Sequence, residues 1–409
     1  MKRTFLFLSL MIALLANAQN MPFITKVYDF LPAPGQFVND TPKYNYSPDS
    51  EPLDSLMARV EKAICGTMTI HNDTVEMPDG SIVIDTDTVI DVKPGLISLG
   101  AFGGYVVFGF DHPVVNVEGE YDLQIFGNSF QAASSSSSGG SSEPGIVMVS
   151  RDMNGNGIPD DPWYELAGSE HNNPKTQKNF TITYYKPDDS QFGTLKPNQY
   201  HNEYIRWTCN SVDSLQEGYV RKNYFHSQSY WPQWYEGETL TFTGTKLRCN
   251  AVDESGQGTY YVQHFVDWGY VDNRPDWHYG YGAGDFADNM NQGFKIDWAV
   301  DNDGNPVNLK AIDFVKVYSG VLQDCGWLGE TSTEVAGAID LHPDAVAPHI
   351  KGDVNADGKV NVSDVTTLIN MILGVLPIDK PLADVNSDGN VNVSDVTALI
   401  NMILGILVL

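Results

Sequence analysis

Cysteine and positive charge are both scarce in this sequence of 409 residues, which has four cysteines and 24 Lys and Arg against 52 Asp and Glu. A net charge of −28 argues against nucleic acid and anionic membranes as partners. Cys65, Cys209, Cys249 and Cys325 form no CxxC pair. In an exported chain they are free to form disulfides, and Cys209–Cys249 is one guess among three full pairings, with free buried thiols as the alternative. Long apolar runs are absent beyond the N-terminus, so no transmembrane helix is expected. GxSxG, HExxH and a P-loop are also missing, which removes the commonest sequence signatures of hydrolases and nucleotide enzymes.

The one apolar run follows "MKR": "TFLFLSLMIALLA" leads into Ala16-Asn17-Ala18. Its length and small-residue end fit a secretory signal at 1–18, cleaved near Ala18, which makes the chain secreted or displayed at a cell surface. Residues 19–79 are proline-rich and irregular at first, then carry "LDSLMARVEKAI" at 53–64, where Leu56, Val60 and Ile64 have helical spacing.

From 80 to 341 the pattern changes to short runs rich in β-branched and aromatic residues, among them "SIVIDTDTVIDV", "GGYVVFGF", "GIVMVSRD", "TLTFTGTKL" and "AIDFVKVYSG". Gly, Asn, Asp and Pro punctuate them. A mainly β fold follows, a β-sandwich of jelly-roll type. "SSSSSGGSS" at 134–142 is a loop within it, and 342–351 is a linker.

The tail says one phrase twice: "GDVNADGKVNVSD" at 352–364 and "ADVNSDGNVNVSD" at 383–395. Counted from its first aspartate, the first phrase sets Asp353, Asn355, Asp357, Lys359, Asn361 and Asp364 at positions 1, 3, 5, 7, 9 and 12. Asp384, Asn386, Asp388, Asn390, Asn392 and Asp395 repeat them. A hard cation takes six to eight oxygens, and alternate residues of a tight loop supply them. Glycine at position 6 permits the turn, position 7 gives its backbone carbonyl, and position 9 can act through water. Two calcium ions are expected here. Each position-12 aspartate opens a helical stretch, where a carboxylate also offsets the dipole. Prolines and the linker leave no helix before either loop.

Two loop–helix units with Asp at position 12 and a closing "ILG" resemble a type I dockerin over 352–409. The resemblance implies a small α-helical module that docks onto a cohesin of a scaffoldin or surface protein, in a polysaccharide-degrading, cellulosome-like assembly. It implies partner reading through positions 10 and 11, Val362-Ser363 and Val393-Ser394, and the helix after them, where this chain has Ile369-Asn370 and Ile400-Asn401. Near-identity of the repeats implies two docking orientations. Val365, Leu368, Ile369, Ile372 and Leu373 form the expected core stripe, with Met371 and Met402 outside it, either packed between the helices or exposed to the partner.

In the β region, "SLGAFGGYVVFGFDHPVVN", "SSEPGIVMVSRDMNGNGIPDDPWYELAGSE" and "FKIDWAVDNDGNPV" resemble secreted Bacteroidota cell-surface proteins. That resemblance implies a jelly-roll-like binding protein, with glycan or corrinoid uptake as the ligand class. "DMNGNGIPDD" places Asp152, Asn154, Asn156 and Asp160 at the first nine positions of the calcium pattern. Position 12 is Trp163, so Asp161 or Glu165 must stand in if a third calcium is bound there. "DNDGNP" at 301–306 is a weaker echo and suits a hairpin equally well.

Sugar rings stack on aromatic planes while neighbouring polar groups bond their hydroxyls. Trp231, Trp234, Trp277, Tyr279 and Tyr281 sit in Pro/Gly/Asp-rich context and are the candidate ligand-binding aromatics. A glycoside hydrolase of unrecognised sandwich type is the enzymatic alternative. It would need two carboxylates, with Glu143, Glu165, Glu236, Asp253 and Glu254 as candidates that no spacing singles out.

Overall fold

The computed structural model describes residues 20–40, 53–76, 82–92, 95–132, 138–212, 215–275, 293–347, 350–355 and 359–406. The expected leader lies outside them, as do Asp357, Trp277, Tyr279 and Tyr281. Among the described residues no helix is long and apolar enough to cross a membrane. Strand exceeds helix by 33% to 14%, so the chain is mainly β, with helices over the C-terminal repeats.

The body rests on a six-stranded antiparallel sheet. Its order is Lys26–Leu31, Tyr105–Val115, Ala311–Ser319, Gly145–Ser150, Trp163–Leu166 and Ala299–Val300. The run GIVMVS at 145–150 shows how the centre holds. Val147 and Val149 pack with Phe108, Val315 and Val317 on one face, whereas Ile146 and Met148 pack with Phe180, Tyr184 and Phe242 on the other. A strand covered on both faces has no polar side, which is why this run is apolar throughout.

The second layer is a four-stranded sheet of Glu217–Asn223, Tyr200–Cys209, Gln177–Tyr185 and Thr239–Lys246. Here the alternation is clean. Phe180, Ile182 and Tyr184 point inward, while Thr181 and Thr183 pair outward with Thr243 and Thr241 through hydroxyls at 2.9 and 2.8 Å. Opposite this layer, helix α1 (Leu53–Ile64) buries Leu56, Val60, Ala63 and Ile64 against the six-stranded sheet. That spacing is the apolar stripe of a surface helix.

The N-terminal segment is part of this body, which corrects the expectation of an irregular lead-in. Lys26–Leu31 pairs with Tyr105–Val115, and Ile24, Ala33 and Val38 are fully buried. The strand ends where Pro32 begins, and an edge position tolerates the proline that follows. Close approach sets one glycine: Gly100 has φ +71, and a side chain there would collide with the Ala33 carbonyl. The guessed Cys209–Cys249 disulfide is not formed, because all four cysteines are free thiols. Cys209 instead donates to the Leu215 carbonyl at 3.4 Å.

The C-terminal module has its own core. Helices α2 (Val362–Ile372), α3 (Lys380–Ala383) and α4 (Val393–Ile403) enclose Val354, Leu368, Met371, Ala383, Val385 and Leu399. Two expectations change here. A short helix, α3, does precede the second loop: Pro381 sits at its start, where a missing N–H costs nothing, and Asp379 caps it. The core stripe runs through Leu368 and Met371, while Ile369 and Leu373 face outward. Met371 is 8% exposed and its repeat Met402 is 38%, so the two halves are not equivalent.

Candidate metal loops and docking surface

The two tail loops fold around their aspartates in the same way. In the first, Asp364 is fully buried; its Oδ1 accepts the N–H groups of Val354 and Asn355 at 2.8 and 3.1 Å, and its Oδ2 that of Asn361 at 2.8 Å. In the second, Asp395 accepts Asn386 N–H at 3.1 Å and Asn392 N–H at 2.9 Å. The position-12 carboxylate therefore ties the beginning of each loop to its end. In the second loop the N–H groups of Asp388 and Gly389 reach Asp384 at 3.0 and 2.9 Å, and Gly389 has φ +87. Glycine is the residue that takes that backbone without strain.

Position 9 has a role that spacing did not reveal. Asn361 and Asn392 are helix N-caps, accepting Ser363 and Ser394 N–H at 2.8 and 2.9 Å, with Asp364 and Asp395 completing capping boxes. The loops also differ in cover. Asp353 and Asn355 are buried, whereas Asp384 and Asn386 are half-buried and Asp388 is exposed. The donor sets consist of oxygen alone, with three aspartates in each loop, and they fit calcium rather than a softer metal.

A third loop repeats this bonding within the β body. Asn156 and Gly157 N–H reach Asp152 at 3.1 and 2.8 Å, as positions 5 and 6 do in the second tail loop. Asp160 accepts the Asn154 side-chain amide at 3.0 Å. Met153 N–H donates to Asp161 Oδ2 at 3.0 Å, and Asn154 N–H bonds the same carboxylate. Asp161 thus stands where Asp364 stands in the tail, two positions early. Glu165 is taken up elsewhere, by His171 Nδ1 at 2.7 Å, Lys178 Nζ at 3.2 Å and Thr245 Oγ1 at 2.5 Å. The "DNDGNP" segment is a turn, with Asp303 and Asn305 N–H bonded to Asp301 and a bridge between Val300 and Pro306.

On the outer face of the module, Val362 and Val393 are 70% and 69% exposed, and Ile369 and Ile400 are 40% and 41%. Ser363 and Ser394 adjoin them, each receiving a side-chain amide, from Asn355 at 3.1 Å and from Asn386 at 2.9 Å. Two similar apolar patches therefore face solvent, one on each helix.

The two expected ligand aromatics among the described residues are not exposed platforms. Trp231 is 3% exposed, within the core under the four-stranded sheet, and Trp234 is half-buried and stacked on Phe30 with centroids 6.0 Å apart. Trp231 does line a cavity of about 220 Å³, with Lys186, Pro187, Asp189, Ser229 and Gln233. The carboxylates considered for catalysis are dispersed. Asp253 binds the turn at Ser255 and Gly258, Glu254 meets His264 at 3.3 Å, and Glu236 is exposed. Glu143 joins Asp272 and Glu334, with one oxygen of each within 4.8 Å of the others. Burial, then the charge of Asp272, raises Glu143; burial, then Glu143, raises Glu334; the two side chains are hydrogen-bonded to each other. Asp272 is held by N–H groups of Asn128, Ser129 and Glu334 at 2.8, 2.8 and 2.9 Å. Sequence spacing could not reveal this group, because its members come from three distant segments.

Residues 351–404 match the dockerin type I domain family. The chain carries that docking module, whose partner class is cohesin and whose metal is calcium. A search of curated proteins finds no match to the chain.

Proposed function

We propose that this is an exported, calcium-loaded protein that docks through residues 352–404 onto a cohesin, so that its β-sandwich is held in a polysaccharide-degrading assembly or at a cell surface. The observation that carries the reading is the position-12 aspartate bonded across its loop in both repeats, beside an apolar patch on each helix. Asp353, Asn355, Asp357, Asp364 and the Lys359 carbonyl would hold one ion, and Asp384, Asn386, Asp388, Asp395 and the Asn390 carbonyl a second. Asp152, Asn154, Asn156, Asp160 and Asp161 would hold a third, because their bonding repeats that of the tail. The cation would cancel the repulsion among three aspartates in each loop and fix the helix that follows. The N-terminal leader supports export, and the sandwich would present a glycan-binding site.

The test is surface plasmon resonance of the full chain on immobilised type I cohesins, in calcium and in EGTA. Binding that EGTA abolishes is expected. Binding indifferent to EGTA, or none across a cohesin panel, would refute the docking reading.

A further inference from the structure

Where the edge strand Glu217–Asn223 ends, large apolar side chains stand in the open. Phe37, Tyr224, Phe225, Trp327 and Leu328 are each 39–59% exposed. The Phe225 ring is the middle one of a row, its centroid 5.6 Å from Tyr224 and 6.0 Å from Trp327. Phe37 lies against His226, the next residue of that segment, at 4.5 Å.

Three distant stretches of chain supply these side chains, and buried Asn223 ties them together from beneath. Its Nδ2 donates to Gln36 Oε1 at 3.1 Å and to the Leu328 carbonyl at 3.0 Å, and its Oδ1 accepts His226 N–H at 2.9 Å. Gln36 Nε2 donates to the same Leu328 carbonyl at 3.0 Å. Trp327 and Leu328 sit in a turn closed by Cys325 N–H on the Gly329 carbonyl at 2.7 Å and by a bridge between Asp324 and Glu330. The rings are therefore held in place before any partner arrives, and binding need not order them.

Scattered exposed apolar residues need no explanation, but a fixed cluster of them marks a binding surface. At these exposures the five side chains present roughly 400 Å², about half of the ~800 Å² that each partner gives to a stable protein interface. Aromatic planes suit the apolar faces of sugar rings, and Tyr224 and Trp327 also carry a hydroxyl and an indole N–H that can bond sugar hydroxyls. Of the flanking cations, Arg221 pairs with Asp324 at 3.4 Å and Lys222 lies over the Tyr204 ring. Neither is left for an anionic chain, which the net charge of −28 also repels.

We propose that the surface of Tyr224, Phe225 and Trp327, flanked by Phe37 and Leu328, binds a short run of sugar rings in a neutral polysaccharide. The inference rests on the glycan-binding reading of the sandwich and gives that reading a location.

The experiment is native affinity electrophoresis of the calcium-loaded full chain through gels containing xyloglucan, galactomannan, mixed-linkage β-glucan or polygalacturonate. It compares the wild type with Phe225→Ala, Trp327→Ala and, as a control elsewhere on the sandwich, Trp268→Ala, a tryptophan as exposed as Trp327. Both patch residues are exposed, so their truncation leaves the thermal midpoint nearly unchanged. Retention of the wild type by at least one neutral gel is expected, weakened about tenfold in both patch variants and unchanged in the control. Retention that Phe225→Ala and Trp327→Ala leave intact would overturn this site while the glycan reading stands. Retention by polygalacturonate alone would contradict a neutral ligand. No retention in any gel would overturn both the site and the glycan reading. Sedimentation velocity of the same chains tests the protein alternative: a wild-type dimer that Phe225→Ala dissolves would make the patch a self-interface and overturn the proposal.

Discussion

Met153 donates its backbone N–H to Asp161 at 3.0 Å, as Val354 does to Asp364 at 2.8 Å. One bond thus joins the second residue of a loop to its closing carboxylate in two unrelated parts of the chain, ahead of a strand in one case and at the start of a helix in the other.

Calcium stoichiometry follows from this pairing. Calorimetric titration of the full chain should show three ions, and Asp161→Asn should leave two. Three ions bound by the Asp161→Asn chain would remove that carboxylate from the site.

The tail should depend on its ions for folding. Its core contains few large side chains, so binding energy must supply much of its stability. Asp364→Ala together with Asp395→Ala should abolish calcium binding by residues 351–406 and flatten their helical circular dichroism. A helical spectrum that survives the double change would contradict this.

Docking should tolerate the loss of one patch but not of two. Ile369 and Ile400 hold matching places on α2 and α4. Ile369→Asp or Ile400→Asp alone should weaken cohesin binding several-fold at most. The double variant should lose binding while calcium stoichiometry is unchanged. Complete loss from either single change would mean that only one face docks.

The sandwich should be more stable in mild acid than in alkali. Glu330 is 7% exposed; its Oε2 accepts Gln36 N–H at 3.0 Å and its Oε1 has no partner among the described residues. Burial raises it to about 7, although the bonds from Gln36 act in the opposite direction. A carboxyl raised above its unfolded value contributes stability that is complete below the ordinary range, about 4.3, and is lost as pH rises through the folded value. Glu143 and Glu334 are raised by burial too and act in the same direction. With calcium saturating, the thermal midpoint should fall between about pH 5 and pH 8, and Glu330→Gln should recover about 2–4 °C for each kcal/mol regained. A midpoint flat over that window would exclude the effect.

The tail was legible because its chemistry is local: every donor lies within a few residues of the next, so spacing alone defines the loop. Asp161 was harder to place. Only the bonds from Met153 and Asn154 show that a carboxylate two positions early closes that loop. Strands that alternate or run apolar, such as Gly145–Ser150 and Thr239–Lys246, could be read directly. Tyr200–Cys209 is not legible in this way, since Asn202, Glu203 and Arg206 interrupt it on the solvent side. Lys26–Leu31 was hidden among prolines that lie beyond its ends. Composition makes Trp231 a candidate for its aromatic plane, yet its place beside the cavity depends on Asn39 and Asp189, which spacing does not connect to it. The Glu143, Asp272 and Glu334 cluster is equally non-local.

The strand Ala311–Ser319 lies between Tyr105–Val115 and Gly145–Ser150, and both of those precede it by a long stretch of chain. As synthesis proceeds, each neighbour has an open rim until the third arrives to fill the gap. The sandwich is therefore a structure that closes late, all at once, from pieces made early. Until then the unpaired rims of those two strands are places where another chain could add a strand.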